Sequence, residues 1–217
     1  MPTCWPRISR NRPMRIKLHP ILLPFFAFLA LTGGISLYAL IFLSLLVHEA
    51  GHVLAAKWAG MRVRSCTILP YGGELSIPKR SLYSKKARIG VALGGPIATA
   101  LLLIIVSFNT VPGSAELKRI QLAILLINLL PILPLDGGQA LSTLLERKEK
   151  RQQSKSLFLM GSILLLAAGL LVLLNGFPDT LLYMCLAAFL LFQNISSYRY
   201  RKYEYAYERL IEKQLTQ

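Results

Sequence analysis

The sequence predicts an all-α polytopic membrane protein: six transmembrane helices, a short membrane-associated β-hairpin and a broken fourth span. Three observations carry this reading. Hydrophobic residues make up 54% of the 217 residues, and the mean hydropathy is +0.50, as in chains that live in lipid. Long apolar runs recur along the chain. The basic residues, which give a formal charge of +15, flank those runs, the pattern of cytoplasmic loops facing anionic headgroups. No nucleic-acid-binding motif accompanies the charge, so the expected partner is a lipid bilayer and not nucleic acid. The three cysteines, Cys4, Cys66 and Cys185, form neither a disulfide framework nor a metal spacing.

The elements follow in order. Residues 1–17 form a basic arm. No small-residue cleavage site follows it, so the first span is expected to be retained. Ile21 to Ala56 is apolar apart from a few polar residues and is interrupted at Gly33-Gly34. As one helix it would run roughly 54 Å, too long for a hydrocarbon core of about 30 Å. A turn at the glycine pair gives span 1, Leu18–Thr32, and span 2, Ile35–Trp58. His19 stands before a proline at the membrane edge and reads as an interfacial side chain. Residues 63–77 alternate around Pro70-Tyr71-Gly72-Gly73 and predict the hairpin. Lys79 to Arg88 is a basic linker.

Span 3 is Ala87–Phe108, with Gly90-x-x-x-Gly94 as a small-residue face for close helix packing. Span 4 starts near Ile120 and meets Pro131, Pro134, Gly137 and Gly138, which do not continue a regular helix. Irregular backbone at membrane depth is tolerated where it is buried in protein or lines a wet cavity. Arg147 to Lys155 is a basic loop. Span 5 is Leu157–Leu174 and span 6 is Thr180–Ile195, completing a membrane domain over residues 18–196. The tail, residues 197–217, reads either as an amphipathic helix at the interface or as an ordinary solvated helix.

Six spans put every strongly basic segment on one face, and the positive-inside rule makes that face cytoplasmic, with both termini inside. An odd number of spans would mix basic and non-basic connections on each side. Spans 2 and 4 then both run toward the cytoplasm. His48 lies nine positions before Lys57 and Asp136 eleven before Arg147, which at helical rise is roughly 14 and 17 Å from the basic edge.

Those depths give meaning to His48-Glu49-Ala50-Gly51-His52. Four residues apart on a helix, the two imidazoles point at one spot. Zinc accepts imidazole nitrogen, and a catalytic site keeps three protein ligands and one open position. Glu49 stands beside the first ligand, where a carboxylate can take a proton from water. Ionisable groups at membrane depth cost about 2.5–3.5 kcal/mol each on insertion scales, which makes them functional by default. The expectation is that His48, His52 and Asp136 bind one Zn²⁺ per chain, with Glu49 as the catalytic base.

His48-Glu49-x-x-His52 on one span, joined with Asn128-x-x-Pro131-x-x-Pro134-Leu135-Asp136-Gly137 on a later one, resembles the site-2 proteases, the intramembrane zinc metalloproteases of peptidase family M50. Leu18-His19-Pro20, Leu69-Pro70-Tyr71-Gly72-Gly73, Gly94-Gly95-Pro96 and the run to Gly138 are most similar to the stage IV sporulation protein FB type. The resemblance implies hydrolysis of a peptide bond in or beside a membrane span, near the cytoplasmic side. It gives His48, His52 and Asp136 as zinc ligands and Glu49 as the base. It makes Asn128 a substrate-binding or bridging residue, and the hairpin with Gly72 and Gly73 a place where an extended substrate pairs. It implies a sporulation sigma-factor precursor as substrate, inhibitory membrane proteins as partners, and the bacterial cell membrane or the forespore outer membrane as location.

Members of that type usually carry a CBS domain after the tail. The sequence stops at Gln217, where that domain would begin, so nucleotide sensing is not carried over. The alternative substrate is another membrane-tethered regulator, such as an anti-sigma factor. Two competing classes are a non-enzymatic zinc transporter and a silent binding protein. A transporter needs ligands spread along a path, and a silent protein has no need of Glu49.

Overall fold

The computed structural model describes residues 15–33, 35–69, 72–78, 80–109, 113–146 and 151–216. Residues 1–14 of the basic arm, Gly34, the hairpin tip Pro70-Tyr71 and residues 147–150 of the basic loop lie outside that set. Among the described residues the chain is mainly helical, with one small sheet, and it divides into two compact units, Met1–Leu125 and Leu126–Gln217.

The first unit opens with a short strand β1 (Arg15–Leu18), followed by helices α1 (Leu22–Thr32) and α2 (Ile35–Trp58). Span 1 therefore starts four residues later than expected, because Leu18 belongs to a strand and Pro20 sits in the turn that follows. Gly33 ends α1 in the left-handed conformation with φ 74°, its N–H donating to the Leu29 carbonyl, a conformation that costs glycine least. Span 2 and α2 have the same limits. Strands β2 (Ser65–Leu69) and β3 (Gly72–Ser76) make the expected hairpin, antiparallel with Thr67 opposite Glu74. The sheet order is β1-β2-β3, with β1 parallel to β2. A three-residue 3-10 turn (Arg80–Leu82) leads into α3 (Lys85–Ser107), which Ser84 caps by accepting from the Ala87 N–H.

Helices α2 and α3 cross at glycine. A Cβ on Gly51 would lie 2.3 Å from the Gly94 carbonyl oxygen, and one on Gly94 would lie 2.6 Å from that of Gly51. The expected Gly90-x-x-x-Gly94 face is thus half right: Gly94 packs, while Gly90 has open space beside its Cα. Its partner is the glycine inside His48-Glu49-Ala50-Gly51-His52, so that motif also serves helix packing. Replacing Gly94 with Val is expected to destabilise the unit by about 3 kcal/mol, the upper end for overpacking, because backbone and not a side chain must yield. Thermal unfolding of the purified chain in detergent reads this. Ala56, Met61 and Val91 form the buried cluster below the crossing, with Ile77 and Tyr83 against it.

Helix α4 (Ser114–Leu129) begins six residues before the expected span 4 and continues across the division between the two units. In the first unit its Gln121, fully buried, donates from Nε2 to Ser44 Oγ at 2.7 Å.

The second unit holds the break, then α5 (Asp136–Leu145), α6 (Arg151–Leu174) and α7 (Leu181–Thr216). Four backbone carbonyls of the break are hydrogen-bonded within this unit. The Leu130 and Ile132 carbonyls accept from the Ile132 and Leu135 N–H groups at 2.8 and 2.9 Å. The Pro134 carbonyl accepts from Gln139 Nε2 at 2.7 Å, and the Leu133 carbonyl accepts from Asn194 Nδ2 on α7. The double glycine has a steric cause. A Cβ on Gly137 would lie 2.2 Å from the Leu129 carbonyl oxygen, and one on Gly138 would lie 2.3 Å from that of Ile132. Ile132, Leu166 and Leu190 form the core of this unit.

Helix α6 begins six residues before the expected span 5. Span 6 and the tail are one helix, α7, of 36 residues. At about 54 Å it exceeds the hydrocarbon core by several turns. Among the described residues four helical stretches are long and apolar enough to cross a membrane: α2, α3, α6 and Leu181–Tyr203 of α7. Helices α1 and α4, with 11 and 16 residues, are shorter than a full crossing.

Candidate metal centre

One stripe of α2 is buried along the helix. Ser44, His48, His52 and Ala56 follow each other at four-residue spacing, and all four are buried. The two imidazoles meet edge to face, with ring centroids 4.8 Å apart and their Nε2 atoms at 3.2 Å. Two nitrogens on a tetrahedral zinc, each at about 2.0–2.1 Å, would stand about 3.3 Å apart, so the pair has the spacing of two ligands on one ion.

Helix α3 fixes the other side of each ring. His52 Nδ1 lies 2.7 Å from the Val91 carbonyl oxygen, and His48 Nδ1 lies 2.9 Å from Thr99 Oγ1. A carbonyl only accepts, so His52 carries its proton on Nδ1 and its lone pair on Nε2. The Gly95 N–H also points at this Nδ1, at 3.3 Å, and the assignment follows the much shorter contact to the carbonyl. Metal-ligating histidines typically anchor the distal nitrogen in this way.

Gly95 leaves the space that an ion needs. A Cβ there would lie 2.3 Å from His52 Nε2 and 2.6 Å from His48 Nε2. The cradle, the donor spacing and the two anchored rings all fit a metal ion of the zinc type. Pro96, next in the chain and inside α3, has no N–H to give the Ala92 carbonyl.

Glu49 is half-buried on the same helix, against β3. A Cβ on Gly73 would lie 2.9 Å from its Cγ and 3.2 Å from its Oε2. Gly73 pairs with Ile68 and Gly72 with Leu69, so both glycines lie on β3, whose outer side is an edge of the sheet. Burial pushes the Cys66 thiol on β2 above its ordinary range, and the Glu49 carboxylate adds to the shift.

The remaining expected residues belong to the later part of the chain. Asp136 is buried at the first position of α5, where the helix dipole favours a carboxylate. Asn128 is half-buried in the last turn of α4. His19 is exposed, and its Nδ1 accepts from the Ile21 N–H at 3.3 Å, a local turn contact consistent with an interfacial side chain. Thr99 and the Val91 carbonyl carried no mark in the sequence, and Gly95 stood out only as part of Gly94-Gly95-Pro96, without a role at the ion. Gly95-x-x-x-Thr99 resembles ordinary small-residue packing, and a backbone carbonyl has no signature.

A family model described as peptidase family M50 matches residues 36–115 and 115–169. A Synechocystis protein, named provisionally as a zinc metalloprotease, is 34% identical over 179 residues, covering 76% of this chain and 47% of its own length. Stage IV sporulation protein FB of Bacillus subtilis is 30% identical over 156 residues, covering 69% of this chain and 54% of its own. The chain thus spans about half the length of these curated relatives. Among solved structures, a site-2 protease from Methanocaldococcus jannaschii superposes with a TM-score of 0.63 at 23% identity, over 87% of this chain and 93% of that one. That likeness establishes a shared fold. With the family model spanning both the histidine motif and the Asp136 segment, and two relatives at 30% identity or more over two thirds of its length, this chain belongs to peptidase family M50.

Proposed function

We propose that this chain is an intramembrane zinc metalloendopeptidase that cleaves a membrane-associated protein near the cytoplasmic side. The observation that carries the reading is the buried His48–His52 pair, with Nε2 atoms 3.2 Å apart and both distal nitrogens anchored, beside a carboxylate that touches an edge strand. His48, His52 and Asp136, all buried, are the zinc ligands. Zinc, when bound, lowers the pKa of water toward about 7 and polarises a carbonyl.

The chain's own residues do the rest. Glu49 takes the proton from water and returns it to the leaving amine. Edge strand β3 holds the substrate extended by backbone pairing, since a helical substrate hides its carbonyls in its own hydrogen bonds. Gly72 and Gly73 keep that edge low, so that a paired backbone approaches Glu49, and Asn128 binds the substrate from the end of α4. Gly73→Val is expected to keep zinc and reduce cleavage by on the order of 100-fold, because the new side chain displaces Glu49 by about an ångström. Metal content measured beside turnover separates the two effects.

In the bilayer, α1 and the α4–α5 segment complete six spans with α2, α3, α6 and α7. The basic connections then face the cytoplasm together with both termini. The membrane domain is residues 18–196, with residues 1–17 as a basic arm and 197–217 as an amphipathic extension. A sporulation sigma-factor precursor is the substrate class favoured by the similarity to stage IV sporulation protein FB, with inhibitory membrane proteins as partners at the bacterial cell membrane or the forespore outer membrane. Co-expression with candidate precursors tests this: a shortened product with the wild-type chain and none with Glu49→Gln supports it. Cleavage of a membrane-tethered anti-sigma factor, with no sigma-factor precursor cut, would keep the activity and replace the substrate.

A further inference from the structure

We propose that Thr99 is a positioning residue for metal capture. Its hydroxyl oxygen accepts the Nδ1–H of His48 and so keeps the Nε2 lone pair turned to the ion. The inference rests on the reading of His48 as a zinc ligand.

The two histidines are anchored unequally. His52 faces the Val91 backbone carbonyl at 2.7 Å, an obligate acceptor that no side-chain substitution removes. His48 turns its Nδ1 to a side chain instead, 2.9 Å from Thr99 Oγ1. Thr99 is fully buried on α3, so water does not readily replace a lost hydroxyl. A helical threonine usually turns its hydroxyl back to the carbonyl four residues earlier. Here that residue is Gly95, and the hydroxyl instead meets an imidazole on the neighbouring helix.

Without the hydroxyl, a neutral His48 in an apolar setting has two poor choices. It loses the buried oxygen that faces its Nδ1, at a cost that the hydroxyl otherwise removes. Otherwise it moves the proton to Nε2, the nitrogen that must hold the metal. Either choice weakens zinc without touching the ion directly. Gly95 and Thr99 therefore act as a pair one helical turn apart: the glycine makes room for the ion, and the threonine orients its first ligand.

The test uses the full chain purified in detergent, with zinc retention measured against rising concentrations of a chelator. Thr99→Val and Thr99→Ala are expected to lose zinc at chelator concentrations 10- to 100-fold below wild type, the usual cost of removing a ligand's supporting partner. Thr99→Ser keeps the hydroxyl and is expected to stay within about threefold of wild type, and its cobalt(II)-loaded form to keep the wild-type visible spectrum. Wild-type retention in Thr99→Val or Thr99→Ala overturns the proposal, and so does an equal loss in Thr99→Ser, which would point to packing. His48→Ala separates the failures. If it retains zinc, the ligand reading itself fails; if it loses zinc while Thr99→Ala does not, only the role of Thr99 fails.

Discussion

A Glu49→Gln variant is expected to bind as much zinc as the wild-type chain and to lose peptide-bond cleavage by about 10²- to 10⁴-fold, the range for a positioned general base. The substitution preserves the shape of the side chain and its contact with Gly73. It replaces an acceptor oxygen with an amide that cannot take a proton. Product formation in membranes, with zinc content measured on the same preparation, reads both halves. Cleavage at the wild-type rate would remove Glu49 from the chemistry; loss of zinc would make it a ligand or a structural residue instead.

The second large effect belongs to Asp136. Asp136→Asn is expected to weaken zinc retention by more than about 100-fold, since even an outer partner of a ligand is worth 10- to 100-fold. An amide oxygen carries no net charge to offset the ion. The apolar setting makes that loss larger than it would be in water. Unchanged metal content would take Asp136 out of the ligand set, and activity would then have to be explained by two histidines and an acceptor elsewhere. Helix α5 gives the substitution a clean background: Asp136 occupies its first position, and the turn below is fixed independently by Gly137, Gly138 and the Gln139 contact to Pro134.

Much of this was legible in the sequence for definite physical reasons. Helix α2 has its expected limits because glycine stops α1 before it and Lys57 and Trp58 end its apolar run. The break after Leu129 showed in its prolines and glycines, since neither residue type continues a helix cheaply. The histidine pair showed because four-residue spacing is itself a geometric statement. Other features depend on contacts that a local pattern does not encode. Strand β1 joins the last three residues of the basic arm to Leu18 and exists only by pairing with β2, some fifty positions later. The tail joins α7 because helical propensity continues through Tyr, Arg and Lys after hydrophobicity ends. Gly51 was hidden inside a motif already given another meaning. Asn194, beside Gln193 where the apolar run of α7 ends, showed its role only once the Leu133 carbonyl lay beside it.

The most direct measurement is anomalous diffraction at the zinc edge from crystals of the purified chain. The account predicts a single peak about 2.0–2.2 Å from His48 Nε2, His52 Nε2 and one Asp136 carboxylate oxygen, with Glu49 outside bonding distance. A peak bound by other residues, or one held by the histidines with Asp136 remote from it, would contradict it.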